Sequence, residues 1–299
     1  MSLSLFLNRH PKMRSALAGP RALRRIWHNW REKPVTMVLN RISETVKGNI
    51  ILEVKEFDGV FCINPRSHLL NRVLRYGYYE PAVAQLFAAH VKPDADIIDV
   101  GANVGFFTVS GAKKLTTGRL LAAEPTTEAH NRLKENVTRN SVADKVILFK
   151  GMVGSAQGQA EIHFVPGLEE YSSMKEPEHF ATTNQEIKTE SVAIDTLDHL
   201  VTLHGLRPAL IKVDVEGAEY SVFEGAHDVL MKYRPVVFSE IWRERTTADG
   251  HSGRELIEMF QRINYVVKDP NDPQAIPGSK IVGEIICIPK ENYHPGSLR

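Results

Sequence analysis

Apolar residues along this chain alternate between two kinds of spacing. Continuous apolar runs occur at "DIIDV" (96–100), "RLLAAEP" (119–125), "KVILFKG" (145–151), "ALIKVDV" (209–215) and "PVVFSEIW" (235–242). Between them lie stretches with apolar positions three and four apart: "FFTVSGAKKL", "TTEAHNRLKENVTRN", "TLDHLVTLHG", "AEYSVFEGAHDVLMKY" and "GRELIEMFQRIN". The first kind is the pattern of strands buried on both faces, the second that of amphipathic helices. Their alternation predicts a parallel sheet wound with helices on both sides. "YVVKD" and "EIICIPK" are expected to close the sheet as a hairpin. "NIILEVKEF" and "VFCINP", separated by Asp58-Gly59, predict another hairpin, followed by a helix at "PAVAQLFAAHV". "QAEIHFV" and "IKTESVAI" predict an antiparallel excursion around the loop 166–184.

Composition adds little to this and excludes much. With 299 residues, 42% hydrophobic and 24% charged, the chain is an ordinary globular one, and its net charge of +1 makes no global case for nucleic acid or membrane. The first 33 residues are the exception, with eight Lys and Arg against the single acid Glu32. Cys62 and Cys287 lie far from any metal-ligand spacing and read as buried thiols, and no histidine spacing suggests a metal or a triad. No run approaches the ~20 apolar residues of a membrane span, and the start lacks a signal peptide's apolar region, so a cytoplasmic location is expected. The expected organisation is a basic helical leader over 1–45, a hairpin and helix over 46–90, a ligand-binding domain over 91–292 and a tail over 293–299.

The candidate chemistry sits at the strand ends. In a doubly wound sheet, ligands bind beyond the carboxyl ends of the strands. The turn after the first strand, "DVGANVGFF" (99–107), offers Gly101 and Gly105 for close approach, Asn103 for a left-handed conformation, and a following helix N-terminus. A dinucleotide fingerprint would have glycine where Asn103 stands, so a ligand without a pyrophosphate fits better. Glu124 ends the second strand, where an acid accepts hydrogen bonds from ribose hydroxyls. Met152 follows the third strand, at the edge of an adenine site or in the core. The fourth strand delivers Asp214 and Glu216, which point the same way if extended geometry persists, and the fifth delivers Glu240. The plainer alternative makes Asp214 and Glu216 caps for a helix beginning near Gly217.

The set "DVGANVGFF", "AAEP", "KENVTRN", "TLDHL", "IKVDVEGAEYSVFEGA" and "PVVFSEI" resembles the FkbM-type methyltransferase family over about residues 75–245. The resemblance implies the α/β class I methyltransferase (Rossmann-like) fold, a doubly wound, mostly parallel seven-stranded sheet, here with an N-terminal basic helical extension. It implies S-adenosylmethionine as cofactor and methyl transfer to a hydroxyl, commonly on a sugar or polyketide. Asp99, Gly101, Asn103, Gly105 and Glu124 match the cofactor motifs, and Glu80 in "YYEP" lies in a segment that approaches the cofactor. Asp214, Glu216 and Glu240 match the acidic motifs near the acceptor. Asp214 is the first choice for general base; alternatively the three acids hold Mg2+. Tyr171, Ser172 and Ser173 in the excursion are candidate acceptor contacts. The expected partner is therefore a small-molecule or glycan acceptor, and no nucleic acid. A base-modifying nucleic-acid methyltransferase and a non-catalytic scaffold of the same fold in glycan assembly are the alternatives. The leader, with Trp27 and Trp30 among arginines, either packs as a lid or homodimer element or touches an anionic membrane surface.

Overall fold

The structure, a computed structural model, describes residues 37–39, 41–168, 172–174, 185–242, 250–272 and 282–294. Most of the basic leader, including Trp27 and Trp30, lies outside the described residues. The chain divides into two compact units, 1–48 and 49–299. In the first, residues 41–45 are helical. All the elements below belong to the second.

The alternating pattern produces a seven-stranded sheet. Its strands are β3 (Asp96–Val100), β4 (Leu120–Ala123), β5 (Val146–Phe149), β9 (Pro208–Val213), β10 (Val236–Trp242), β11 (Tyr265–Lys268) and β12 (Val282–Pro289), in the spatial order β11-β12-β10-β9-β3-β4-β5. Six of the seven strands run in the same direction, and β12 is antiparallel to both its neighbours, β10 and β11. The order reverses between β3 and β9, which pair directly, and a crevice opens at their carboxyl ends. This is the class I methyltransferase arrangement. One core cluster packs Ile97, Leu120, Leu210 and Phe238 on one face of the sheet. A second packs Ile98, Leu121, Ile211 and Val237 on the other. The two-sided burial explains why these strands are continuously apolar.

The hairpin β1 (Ile50–Val54) and β2 (Gly59–Ile63) forms as expected, with Asp58 left-handed at the turn. It packs on α3 (Phe106–Lys114) through the stacked rings of Phe57 and Phe106, 4.9 Å apart. The unpaired edge of β2 is closed by α4 (Thr127–Arg139) and its cap. Asn136 accepts from the Cys62 amide at 2.6 Å and donates to the carbonyls of Cys62 and Val104, at 3.1 and 2.8 Å. Asn140, one helical turn on, does the same at Val60. These two amides act as a substitute strand. Through Val104, Asn136 also fixes the turn after β3.

Three local features depend on individual residues rather than on the apolar pattern. A helix, α1 (His68–Tyr76), precedes α2 (Pro81–His90), begun by a Ser67 side-chain cap and ended by left-handed Gly77. Thr126 does not cap α4 with its side chain. Its hydroxyl donates instead to Glu124, at 2.7 Å. The helix expected over 218–233 is two, α6 (Glu219–Glu224) and α7 (His227–Tyr233). It breaks at Gly225, where a Cβ would stand 2.1 Å from the Gly154 carbonyl. The excursion is a small separate sheet of β6 (Met152–Val153), β7 (Gly158–Phe164) and β8 (Lys188–Asp195), followed by α5 (Leu197–His204).

Candidate active site

The turn after β3 is held by its neighbours before any ligand is considered. The amides of Gly101 and Ala102 both donate to the Ala123 carbonyl at 3.0 Å. Gly101 has φ +76°, and a Cβ there would lie 1.8 Å from the Asp214 carbonyl oxygen. The close approach at Gly101 is thus between two protein backbones, β3 and the exit of β9. Gly105 is also left-handed, and its Cβ would press on Leu133 at 2.6 Å. Asn103 adopts φ 48°, the conformation for which its residue type is suited.

Glu124 joins this turn to the end of β4. It is 4% exposed. One carboxylate oxygen accepts from the Asn103 amide at 3.0 Å, the other from the Thr126 amide and hydroxyl at 3.0 and 2.7 Å. Glu124, Gly151, Met152 and Val153 line a cleft that continues past Gly101 and Asn103 to Asp214 and Glu216. Val153 is also part of the core, whereas Met152 is partly exposed to the cleft. Ser172 and Ser173 line this cleft too, with Ser173 pinned to His163 by two backbone hydrogen bonds. They are on the Glu124 side of the junction, not in the chamber that contains Glu240. Tyr171 lies outside the described residues.

On the other side of Gly101 and Asn103 is a chamber lined by Glu80, Asp99, Lys212, Asp214, Glu216 and Glu240, with Glu284 also on its wall. Extended geometry does not persist after β9: Glu216 is left-handed, with φ 52°. Both Asp214 and Glu216 nevertheless face the crevice. The role of tying the following turn belongs to Glu219, whose carboxylate accepts from the amides of Val215 and Gly217 at 3.3 and 3.2 Å. Burial pushes Glu219 up to about 7. Glu80, Asn103 and Glu216, three pocket-lining residues that are not glycine, all have positive φ. Such strain, of order 1–3 kcal/mol per residue, persists where surrounding structure imposes it, and it gathers at functional sites.

Lys212 is the buried cation of this chamber, 4% exposed at the end of the apolar run of β9. Its Nζ is 2.9 Å from Oδ2 of Asp214 and 4.6 Å from the centroid of the Phe107 ring. The surrounding carboxylates Asp214, Asp99, Glu80 and Glu284 hold its ammonium charged, well above the usual lysine range, against the opposing effect of burial. Sequence reasoning gave no role to Lys212 or Glu284. A lysine inside an apolar strand, two residues before an acid, was the available signal for the first. Nothing local marked Glu284, which reaches the site only through strand pairing.

The fit of a cationic cofactor is visible in unpaired atoms. Oδ2 of Asp99 accepts from the Thr108 hydroxyl at 2.6 Å, but its buried Oδ1 has no hydrogen-bond partner, and neither has the buried Oε2 of Glu80. Two unsatisfied carboxylate oxygens on one wall are costly unless a cationic ligand meets them. S-adenosylmethionine, with its ammonium and sulfonium, fits that wall, and Glu124 retains acceptor capacity for ribose hydroxyls. A divalent metal fits less well. Asp214, Glu216 and Glu240 bring one oxygen each within 4.8 Å of one another. Of the three, Asp214 already has a cation, the Lys212 ammonium at 2.9 Å. We therefore read these carboxylates as proton and hydrogen-bond acceptors and derive no step through a metal.

Residues 99–267 match the model of the methyltransferase FkbM domain, more than half of the chain. The chain belongs to the FkbM methyltransferase family. It is an S-adenosylmethionine-dependent methyltransferase of that type. Similar proteins include the AMB antimetabolite synthetase AmbE of Pseudomonas aeruginosa, 25% identical over 232 residues, 66% of this chain. The match spans only about a tenth of that protein, 11% of its length. The 2-O-methyltransferase NoeI of Sinorhizobium fredii is 27% identical over 196 residues, 62% of this chain and 79% of NoeI. The crystal structure of methyltransferase FkbM from Methylobacillus flagellatus superposes with a TM-score of 0.42 at 12% identity, covering 87% of this chain and 60% of that one. Among the described residues of this FkbM-family methyltransferase, no helix is long and apolar enough to cross a membrane.

Proposed function

We propose that the chain methylates a hydroxyl group of a neutral or cationic polyol, a sugar of a glycan being the favoured class. The observation that carries this reading is the position of Asp214, at the junction of the Glu124 cleft and the acidic chamber. When bound, S-adenosylmethionine supplies an electrophilic methyl on a positively charged sulfur. An alcohol is a weak nucleophile, and a positioned carboxylate that takes its proton during attack contributes about 10²–10⁴-fold. Asp214 is that base, and Lys212 fixes its orientation through Oδ2. Glu216 and Glu240 accept hydrogen bonds from neighbouring hydroxyls of the acceptor, which orients the reacting oxygen. Ser172, Ser173 and Met152 border the adenosine side. The 2-O-methyltransferase activity in NoeI's name agrees with oxygen as the methylated atom.

The carboxylate-lined chamber also argues against phosphate-bearing acceptors, because like charges repel strongly in a partly desolvated site. Nucleic acid is therefore not the proposed substrate, and the site's intact chemistry argues against a scaffold. Incubation with methyl-labelled S-adenosylmethionine and matched neutral, amino and phosphorylated sugars tests this. Label in the neutral or amino sugars supports the reading; label confined to phosphorylated sugars or RNA overturns it. For the basic leader we propose packing as a lid or homodimer element, and the alternative to be tested is contact with an anionic membrane surface near a lipid-linked acceptor in the cytoplasm. Pelleting with anionic vesicles at low salt but not high salt supports the membrane alternative, and indifference to vesicle charge refutes it.

A further inference from the structure

Strand register sets two of the site's carboxylates against each other. Glu240 of β10 is the partner of Glu284 in β12 across an antiparallel pair, and both line the chamber. Directly opposed residues of an antiparallel pair project from the same face of the sheet, and like charges there repel. Two carboxylates so placed are relieved by taking up protons.

The groups around the pair do not neutralise it. From β9 and the turn beyond come Asp214, Glu216 and the cation Lys212, and from α6 comes Glu219. Glu80 faces Glu284 from the segment before α2, its carboxylate bonded to the Tyr79 hydroxyl. Asp99 of β3 adds a carboxylate whose Oδ1 is unpartnered in a residue 1% exposed. His68 and Arg72 of α1 complete the wall. The Lys212 ammonium is engaged by Asp214 at 2.9 Å.

We propose that the Glu240–Glu284 pair is a proton store that exchanges one proton for the positive charge of the cofactor. A proton leaves the pair when S-adenosylmethionine enters, and the acceptor's hydroxyl proton takes its place when the methyl is transferred. The inference rests on the cofactor and on a hydroxyl acceptor. In the transfer the carbon–sulfur bond breaks with its electron pair kept by sulfur. An oxygen lone pair forms the new carbon–oxygen bond, and the O–H proton passes by way of Asp214 to the pair. One positive charge disappears from sulfur and one proton appears on a carboxylate, so the net charge of the chamber is unchanged. Burial and then the charges of Asp214 and Glu216 push Glu240 up to about 10. Burial and then Glu80 and Asp214 push Glu284 up to about 8. Before the cofactor arrives, both carboxyls of the pair therefore hold protons at neutral pH, and one of these is the proton given up.

Calorimetric titration of the full chain tests this without any acceptor. S-adenosylmethionine and S-adenosylhomocysteine, which lacks the sulfonium, are titrated at neutral pH in phosphate and in Tris, whose ionisation enthalpies differ. The expected result is release of about one proton per S-adenosylmethionine bound and none per S-adenosylhomocysteine. Glu284→Gln and, independently, Glu240→Gln should bind S-adenosylmethionine with that release lost. Binding to the wild type with an enthalpy independent of buffer overturns the proposal. So does proton release that persists in both variants. Failure of both ligands to bind would overturn the cofactor reading itself, a distinguishable result.

Discussion

Nζ of Lys212 lies 2.9 Å from Oδ2 of Asp214, and the lysine is buried against the Phe107 ring of α3. The pair spans the end of a strand, with its cation inside and its carboxylate at the crevice. Breaking a buried pair by removing one partner leaves an uncompensated charge and costs about 3–5 kcal/mol. Lys212→Met is expected to lose that much unfolding free energy in urea. The double variant Lys212→Met/Asp214→Asn should regain part of it. A loss below about 1 kcal/mol in the single variant would mean that Lys212 does not hold Asp214 in the folded protein.

Gly101 offers a test of the turn that is independent of ligand. With φ +76° and the Asp214 carbonyl 1.8 Å from a would-be Cβ, Gly101→Ala must move one backbone or the other. We expect a loss of ~2 kcal/mol or more in stability, together with loss of S-adenosylhomocysteine binding. Gly158→Ala, where a Cβ meets nothing within 4 Å, should stay within about 1 kcal/mol of wild type. Equal stability of the two variants would contradict the backbone contact.

Glu124 is expected to act both in the fold and in the cofactor site. Glu124→Ala leaves the amides of Asn103 and Thr126 and the Thr126 hydroxyl without their acceptor. The thermal midpoint should fall, and S-adenosylhomocysteine affinity should drop by ~1–3 kcal/mol, the usual cost of unpaired polar groups. A lower midpoint with unchanged affinity would confine Glu124 to structure.

The raised carboxylates give the free enzyme a definite pH dependence. A carboxyl whose folded pKa exceeds its unfolded value binds protons more tightly when folded. Its stabilising effect is full below the unfolded value and is lost as pH rises through the folded one. For Glu219, Glu284 and Glu240 those values are about 7, about 8 and about 10. The thermal midpoint of the free protein should therefore fall as pH rises above neutrality, and less steeply in Glu284→Gln. A midpoint that rises with pH there, or an identical slope in the variant, would show that these groups do not titrate as the geometry requires.

The sequence carried the fold because the central strands are apolar on both faces, so β3, β4, β9 and β10 and the helical connections between them were legible. The helix α1 was not legible, because its start depends on the Ser67 cap and its end on Gly77. The break between α6 and α7 was equally hidden. Gly225 is glycine because β6's exit, at Gly154, passes 2.1 Å from where its Cβ would be. At the site, Asp99, Asn103, Glu124, Asp214, Glu216 and Glu240 all stand at strand ends that doubly wound topology brings together. Glu284 was invisible for the opposite reason. It lies in β12, a late antiparallel strand, and meets Glu240 only through a register that no local pattern encodes.

The most direct test of the account is transfer from S-adenosylmethionine carrying a ¹³C-labelled methyl group to a panel of neutral and amino sugars, comparing wild type with Asp214→Asn. The carbon shift of the product shows whether the methyl sits on oxygen, nitrogen, carbon or sulfur. We predict an oxygen-bound methyl from the wild type and a rate at least about 10²-fold lower from the variant, with S-adenosylmethionine affinity preserved. A methyl on any atom other than oxygen, or equal rates for the two proteins, would contradict hydroxyl methylation with Asp214 as its base.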